Sequence, residues 1–396
     1  MEPAEEATLR RRPRRAIAII AASLTLIVVA SLVYLHPKID VPRNPLAALP
    51  TPTQTPPFLP DRYTADFAFV TPTLGWSLIS EIRQFWIFRT TDEARTWEQQ
   101  LTGPVDFVNP FQFSERRRPI QFFDRMRGLV HVTPNTVFAT ADGGRTWARL
   151  NLPKYAIESL TFSDSLNGWL LGSVQGQSPR DLTYHLESTA DGGDTWTALP
   201  SPPLSKNFQG FILSGLQFRN SQEGWARATD PDQNAVYSTN DGGATWQPHL
   251  LPVTTQPVQG KPAYPVTGTV TLLPGGGVLA STRDAGFTSF DGGAKWRPIV
   301  PVPGTGNYRD FAFQDATHWW AMQFDSNLYK SSDAGQTWKH VSFQLDALVY
   351  TIGVTDAQHA WARLESQVPP RRGFGLALSS DGGVHWTYAK VPTLEP

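Results

Sequence analysis

Residues 189–196 read TADGGDTW, and this pattern of a hydroxyl residue, an aspartate, glycines and a tryptophan occurs seven times in the chain. The other copies are residues 90–97, 140–147, 239–246, 289–296, 331–338 and 379–386. Successive tryptophans lie 42 to 50 residues apart, a period typical of β-propeller blades. A second element precedes each copy: apolar positions, a short polar turn and often Gly-Trp, as in FAFVTPTLGW at residues 67–76. The repeats therefore define seven structural units.

Each unit predicts four short β-strands. In the first unit these are residues 65–70, 75–80, 85–91 and 96–101. A lone four-stranded sheet cannot bury two apolar faces, whereas sheets stacked radially bury both and leave only short edges. The sequence therefore predicts an all-β protein, a seven-bladed β-propeller of four-stranded antiparallel blades over residues 62–391, with almost no helix beyond the N-terminus. Because the last unit has four strands of its own, we expect the ring to close without a strand from the N-terminus.

The N-terminus predicts a membrane segment followed by a linker. Residues 16–35 carry no charge, and 20 apolar positions are about what a helix needs to cross a bilayer. Five arginines precede them in the basic tail, residues 1–15, which we expect to stay cytoplasmic, so that the rest of the chain is extracytoplasmic. A cleaved signal peptide, with residues 29–31 as the cleavage site, is the alternative. Eight prolines make residues 36–61 a stiff linker that reaches at most roughly 75 Å.

The composition narrows the possible partners and chemistry. The formal net charge is −1, so nothing in the total charge calls for a nucleic acid partner. The absence of cysteine excludes disulfides, thiolate metal sites, a cysteine nucleophile and a lipid-modified N-terminal cysteine. Charged residues make up only 17% of the chain, below the usual value of about 25%, while 34 prolines and 31 glycines suit many short strands joined by turns.

The repeated octapeptide resembles the Asp-box, or BNR repeat, of sialidases and related propellers. We expect each aspartate to accept hydrogen bonds from the N–H groups of its own turn, the glycines to supply positive φ, and the tryptophan to cover the hairpin. Seven equivalent aspartates spread around a ring cannot converge on one substrate, and one carboxylate before glycines is too few ligands for calcium. The residues given this structural role are Asp92, Trp97, Asp142, Trp147, Asp191, Trp196, Asp241, Trp246, Asp291, Trp296, Asp333, Trp338, Asp381 and Trp386.

Some copies depart from the pattern. Glu93 and Ala94 stand where the first box would have glycines, and Lys295 and His385 stand where the fifth and seventh would have threonine. We expect these blades to form with less regular turns.

A binding surface is predicted on the face opposite the boxes. The connections between second and third strands and between blades vary most in length, and variable loops on a rigid scaffold commonly bind partners. They carry cations and aromatic residues that suit an acidic protein segment, an acidic sugar or lipid headgroups; the alternative is that these arginines are simply solvated. The predicted partner-binding residues are Arg116, Arg117, Arg118, Arg180, Tyr308, Arg309, Arg371 and Arg372.

No catalytic, cofactor or metal site is predicted. Zinc-protease, serine-hydrolase, phosphate-binding and dinucleotide motifs are missing from the sequence, and the eight histidines lack metal-ligand spacing. The Phe/Tyr-Arg-Ile-Pro motif of sialidases is also missing, and xyloglucanase-type enzymes use two seven-bladed domains where this chain has length for one. The sequence favours a binding or assembly scaffold, with a glycoside hydrolase as the alternative and a plain structural module of the envelope as a third possibility.

The repeat resembles that of the photosystem II assembly and stability factors known as Ycf48 or Hcf136. The likeness rests on the Phe-x-Asp-like turn, Gly-Trp and Thr-x-Asp-Gly-Gly-x-Thr-Trp, as in residues 160–196 and 216–246, and covers about residues 62–391. It implies a seven-bladed propeller outside the cytoplasm that engages partner proteins through an arginine-rich surface. The long apolar segment and proline-rich linker are departures from that family.

Overall fold

A computed structural model describes the greater part of the propeller region. The described residues are 58–105, 119–176, 182–200, 213–228, 235–252, 270–281, 285–303, 308–323, 327–341, 343, 345, 347–366 and 373–394. The chain divides into two compact units, Met1–Gln54 and Thr55–Pro396, and only the second contains described residues. The predicted basic tail, membrane segment and nearly all of the linker lie outside them. Within the described part, we find no helix long and apolar enough to span a membrane.

The described residues form seven four-stranded antiparallel sheets, each built from four consecutive strands. The predicted seven-bladed, all-β architecture is therefore confirmed. Blades 1 to 4 contain β1 (Thr64–Phe69), β2 (Gly75–Ser80), β3 (Gln84–Thr90), β4 (Glu98–Pro104); β5 (Ile120–Phe122), β6 (Gly128–Thr133), β7 (Thr136–Thr140), β8 (Ala148–Arg149); β9 (Ala156–Phe162), β10 (Gly168–Gln175), β11 (Leu182–Thr189), β12 (Thr197–Leu199); β13 (Leu213–Phe218), β14 (Gly224–Ala228), β15 (Ala235–Thr239) and β16 (Gln247–Leu250). Blades 5 to 7 contain β17 (Val270–Leu272), β18 (Val278–Ser281), β19 (Gly286–Ser289), β20 (Arg297–Pro298); β21 (Tyr308–Phe313), β22 (Trp319–Gln323), β23 (Leu328–Ser331), β24 (Lys339–Val341); β25 (Leu348–Val354), β26 (Ala360–Ser366), β27 (Gly373–Ser379) and β28 (Thr387–Ala389).

The core lies between neighbouring blades. The Gly-Trp tryptophans at the start of second strands supply much of it, because each ring reaches the next blade. Trp76 of blade 1 is fully buried and stacks on Phe122 of blade 2, with ring centroids 3.4 Å apart. Trp169 of blade 3 stacks in the same way on Phe218 of blade 4, at 3.5 Å. The repeated Gly-Trp and Phe positions therefore form a contact from one blade to the next.

The ring closes between blades 7 and 1. Blade 7 contains only its own strands β25–β28, as expected. Trp97 of blade 1 donates its Nε1–H to the carbonyl of Lys390 at 2.9 Å, and the guanidinium of Arg363 in β26 lies 3.4 Å from the Asp66 carboxylate in β1. These contacts join the last blade to the first.

A short N-terminal segment reinforces the closure. Leu59 forms an isolated antiparallel bridge with Phe374, with N–H to carbonyl distances of 2.8 and 3.0 Å in the two directions. Gly373 permits this approach because a Cβ there would overlap the Leu59 carbonyl oxygen. The Phe58 side chain packs against the core of blades 6 and 7, and Leu59 is buried. The described part of the packed ring thus includes Phe58 and Leu59, which lie within the segment predicted as linker.

Candidate functional site

Two kinds of turn share one face of the propeller. In blade 2 the N–H of Gly143, in the turn between the third and fourth strands, donates to the carbonyl of Met126, in the turn between the first and second strands, at 2.7 Å. Equivalent bonds of 2.8 to 3.3 Å occur in blades 1, 3, 4, 6 and 7. We call this side the box face. Because the strands of a blade alternate in direction, the remaining connections lie on the opposite side, the loop face.

The octapeptide turns are held by their own side chains. In blade 2 the hydroxyl of Thr140 donates to the Asp142 carboxylate at 3.0 Å and accepts the N–H of Gly144 at 2.8 Å. The same carboxylate accepts the N–H of Thr146 at 2.9 Å and its hydroxyl at 2.7 Å. Both carboxylate oxygens of Asp142 are thus engaged within the turn, which fits the structural role expected for this residue.

Hydrogen bonding also shifts the acidity of these aspartates. The N–H and hydroxyl of Thr146 lower the pKa of Asp142 to about 2, because they stabilise the ionised carboxylate. The hydroxyl and N–H of Thr245 do the same for Asp241, whose pKa is also about 2. The pKa values of Asp191 and Asp291 are lowered by the equivalent bonds. These carboxylates are therefore charged, turn-stabilising groups at neutral pH.

The turns whose sequences depart from the pattern are more regular than expected. In the first box, Thr90, Asp92 and Thr96 form the same bonds at 2.6 to 3.1 Å, while Glu93 and Ala94 adopt φ values of 62° and 60°. The expectation of an irregular turn was wrong here, because side-chain hydrogen bonds impose the left-handed backbone even without glycine. In the seventh box, His385 replaces threonine and its Nδ1 lies 2.5 Å from the Asp381 carboxylate.

The box tryptophans are placed differently from the expectation of buried covers. Trp196 is only partly buried; it packs edge-on against Phe162 with centroids 6.2 Å apart and donates its Nε1–H to the carbonyl of Asn151 in the preceding blade at 3.0 Å. Trp246 is an exception, at 5% exposure. Sequence reasoning assigned the Gly-Trp tryptophans no role beyond marking the repeat, yet these are the tryptophans that fill the core. Their position on a strand, rather than in a turn, was the available signal.

The described structure does not test the predicted partner-binding residues. Tyr308 and Arg309 begin β21, and their side chains are outside the description. The others also lie outside the described residues, namely Arg116, Arg117, Arg118, Arg180, Arg371 and Arg372. The loop-face site therefore stays a prediction.

The described structure contains a cationic surface elsewhere, on the box face. Arg125 and Arg127 flank Met126 in one turn of blade 2, and Arg145 lies in the adjoining octapeptide turn. All three arginines are exposed, and Met126 is 44% exposed between them. We call Arg125, Arg127 and Arg145 the arginine patch. The sequence signals were the tripeptide RMR and the arginine after Gly-Gly, which sequence reasoning overlooked because it assigned the box turns a structural role alone.

The described residues offer no metal site. Among them, no group of three His, Asp or Glu side chains is arranged to hold an ion. A glycoside hydrolase would need carboxylates in the connections opposite the boxes; the sequence has Asp181, Asp230 and Asp325 there, and all three fall outside the described ranges.

Comparison with known proteins finds sequence similarity to a photosystem II stability/assembly factor. No family model matches the sequence. The chain is 24% identical over 289 residues to the photosystem II stability/assembly factor HCF136 of Arabidopsis thaliana, across 67% of this chain. The propeller is Ycf48-like. This match spans 65% of the length of HCF136, just under two thirds of the curated relative.

Two further comparisons show related propellers. A xyloglucanase of Hypocrea jecorina is 23% identical over 65% of this chain, but the match spans only 37% of that enzyme. A solved structure described as YCF48 bound to a D1 peptide aligns with 83% of this Ycf48-like chain and 99% of its own, at 18% identity and a TM-score of 0.47.

Proposed function

We propose that this protein is an extracytoplasmic scaffold that binds a protein partner and supports the assembly or stability of a membrane-associated complex. The observation that carries the proposal is the sequence match with HCF136 over two thirds of the chain, since that relative is a stability/assembly factor. The fold suits this function because a closed ring holds its turns and loops in fixed relative positions. Association with photosystem II itself is part of the proposal only where the host contains one.

The proposed partner surface includes the loop face. Arg371 and Arg372 lie between β26 and β27, and Arg116, Arg117 and Arg118 between β4 and β5. Arginine suits such contacts because its planar fork donates two hydrogen bonds to one carboxylate. An acidic glycan or a lipid headgroup could use the same donors.

Affinity purification of the full-length protein from its own membranes tests the partner. We expect one discrete envelope protein to be enriched, and reversal of Arg371 and Arg372 to glutamate to weaken its recovery. Reversal of two other exposed cations, Arg62 and Lys295, serves as the control with an equal change in net charge. If no second protein is recovered in a stoichiometric amount with the purified protein, in any detergent that keeps the propeller folded, the result contradicts the scaffold function.

The proposed location is the outer side of a membrane, with residues 16–35 as a single-pass anchor. The uncharged segment after a basic tail supports it. Alkaline phosphatase joined after residue 57 is expected to be active, because the enzyme folds only after export. An inactive alkaline phosphatase fusion, together with an active cytoplasmic reporter fused at the same site, overturns this orientation. Release of the full-length protein from membranes by carbonate indicates a cleaved signal.

A glycoside hydrolase is the second candidate, favoured by the match to the xyloglucanase. Its support is weaker because that match covers only 37% of the enzyme. Purified protein incubated with xyloglucan, β-glucan and sialoside substrates is expected to release no sugar. Release that is abolished by substituting one loop carboxylate, such as Asp181 or Asp325, contradicts the scaffold proposal.

A further inference from the structure

Blade 2 alone carries arginine at all three positions of the arginine patch, although blade 1 has Arg95 at the position of Arg145. At the positions of Arg125, Arg127 and Arg145, blade 3 has serine, asparagine and aspartate, and blade 4 has serine, glutamate and alanine. In six of the seven blades the same hydrogen bond joins the two turns, so this framework does not itself require arginine at these positions. The charges are therefore additional to what the fold needs.

The patch charges are largely free of partners within the described part of the ring. Arg125 and Arg145 form no ion pair with a described residue, and the Arg127 charge acts on Asp124, whose pKa is lowered first by the N–H groups of Met126 and Arg127 and then by that charge. Both nearby carboxylates, Asp124 and Asp142, accept hydrogen bonds from their own turns. Both carboxylates stay ionised, because their pKa values are lowered, but three exposed arginines against two carboxylates leave this surface with a net positive charge.

A fourth arginine borders the same surface. Arg89 of blade 1 extends to the box turn of blade 2, where its Nη2 is 4.0 Å from the point that a Cβ on Gly143 would occupy. The sulfur of Met126 lies 3.8 Å from that point. The Nε of Arg89 is buried and has no hydrogen-bond partner among the described residues. Met126 thus stands exposed between Arg125 and Arg127 in its turn, and the guanidinium of Arg89 lies beside the adjoining octapeptide turn.

We propose that the box face of blade 2 is a docking surface for an acidic segment of a partner protein, with the arginine patch binding its carboxylates and Met126 contacting an apolar side chain. This inference rests on the proposed scaffold function and assigns it a surface on the side opposite the predicted loop-face site. A protein segment fits better than a uniform polyanion because the exposed centre of the patch is apolar. Methionine adapts its shape to varied apolar partners.

Several arginines must act together on this surface. A single exposed ion pair contributes little and is screened by salt, so affinity depends on simultaneous contacts. Reversing two charges replaces two attractions by two repulsions. We expect Arg125→Glu together with Arg145→Glu to weaken binding by about tenfold or more at 0.1 M salt. The matched control reverses Arg83 and Lys154, which are exposed in loop-face connections and give the same change in net charge.

Photocrosslinking in native membranes tests the location. Benzoylphenylalanine at Met126 is expected to crosslink to one protein, at a peptide rich in aspartate and glutamate when mapped by mass spectrometry. The same group at Ile82, which is 67% exposed on the loop face, is the comparison. Crosslinks from Ile82 alone leave the scaffold function standing and overturn the box-face surface. Crosslinks from neither position, with no partner in affinity purification, overturn both.

A binding assay with purified full-length protein in detergent tests the chemistry. The probe is a fluorescein-labelled twelve-residue peptide of glutamate pairs separated by leucines, compared with its glutamine counterpart. Support requires binding of the glutamate peptide alone, loss in the Arg125/Arg145 reversal, retention in the Arg83/Lys154 control, and weakening in Met126→Ser. Tighter binding to heparin or phosphatidylglycerol vesicles that Met126→Ser leaves unchanged overturns the protein-segment assignment. A dimer that disappears on reversing Arg125 and Arg145 would instead identify a second copy of this chain as the occupant and also overturn it.

Discussion

At the scale of single residues, the turn aspartates link stability to pH. The folded pKa of Asp142 is about 2, below the unfolded value of about 3.9, so its contribution is fully present above the unfolded pKa and is lost as the pH falls through about 2. The other octapeptide aspartates shift in the same direction. We expect the urea midpoint to fall slightly between pH 7 and 5, where burial lowers the pKa of His249 and the unfolded state binds more protons, and to fall steeply between pH 4 and 2.

Asp142→Asn isolates the contribution of one turn. Asparagine keeps one acceptor for the Thr146 N–H but loses the charge, so we expect lower stability at pH 7 and a shallower fall between pH 4 and 2. Asp194→Asn, at an exposed turn position, is the control. A variant whose pH dependence equals that of the natural protein would show that the turn does not hold the carboxylate ionised.

Backbone strain at equivalent turn positions gives a second residue-scale prediction. Gly143 has φ 76° and a Cβ there would lie 3.0 Å from the Arg125 carbonyl oxygen, whereas Glu93 holds the matching position with φ 62°. Gly143→Ala is expected to destabilise by about 1–2 kcal/mol, while Glu93→Gly should be neutral or stabilise by up to about 1 kcal/mol. Chemical denaturation of the two variants checks this; equal effects of the same sign would contradict it.

At the scale of strands and blades, the tryptophans separate into two classes. Trp169 is 2% exposed and stacks on the next blade, whereas Trp196 is partly buried at the rim of its own hairpin. We expect Trp169→Ala to cost about 3–5 kcal/mol and Trp196→Ala clearly less. Denaturant unfolding with unchanged m-value measures both. A larger loss at Trp196 would mean that the octapeptide, not the Gly-Trp element, carries the packing between blades.

The repeat made the strands and their number predictable, because a fixed period, Gly-Trp and the octapeptide recur with little change. The repeat did not reveal how deeply each tryptophan is buried. Trp169 and Trp196 both recur in every regular unit, and the burial of each side chain depends on its contacts with the neighbouring blade. The repeat also did not reveal the arginine patch. Arg125 and Arg145 are 20 residues apart in sequence and adjoin only because Gly143 bonds to Met126 across the blade.

At the scale of the whole molecule, stability depends on how the ring is closed. Blades 1 to 7 are each complete in sequence, so no strand exchange ties the ends together. The closure relies on the Trp97 bond to Lys390, the Asp66–Arg363 pair and the bridge from Leu59 to Phe374. Arg363 is also held between the rings of Tyr350 and Phe374, each 4.6 Å from the guanidinium carbon. Loss of one of these contacts should therefore loosen the junction between blades 7 and 1 before the junctions between other blades.

Leu59→Ala tests that dependence. Leu59 is 5% exposed and packs in the core shared by blades 7 and 1, so its truncation is expected to cost about 2–4 kcal/mol. Because local opening starts where contacts are fewest, amide exchange should accelerate in β1 and β27 while β13–β16, on the far side of the ring, keeps its protection. Leu216→Ala, at a buried site of blade 4, is the matched control, and its effect should centre on β13 and β14. Uniformly faster amide exchange in all blades of the Leu59 variant would show that the ring opens only as a whole. Leu59 would then contribute to global stability without a specific effect on the junction between blades 7 and 1.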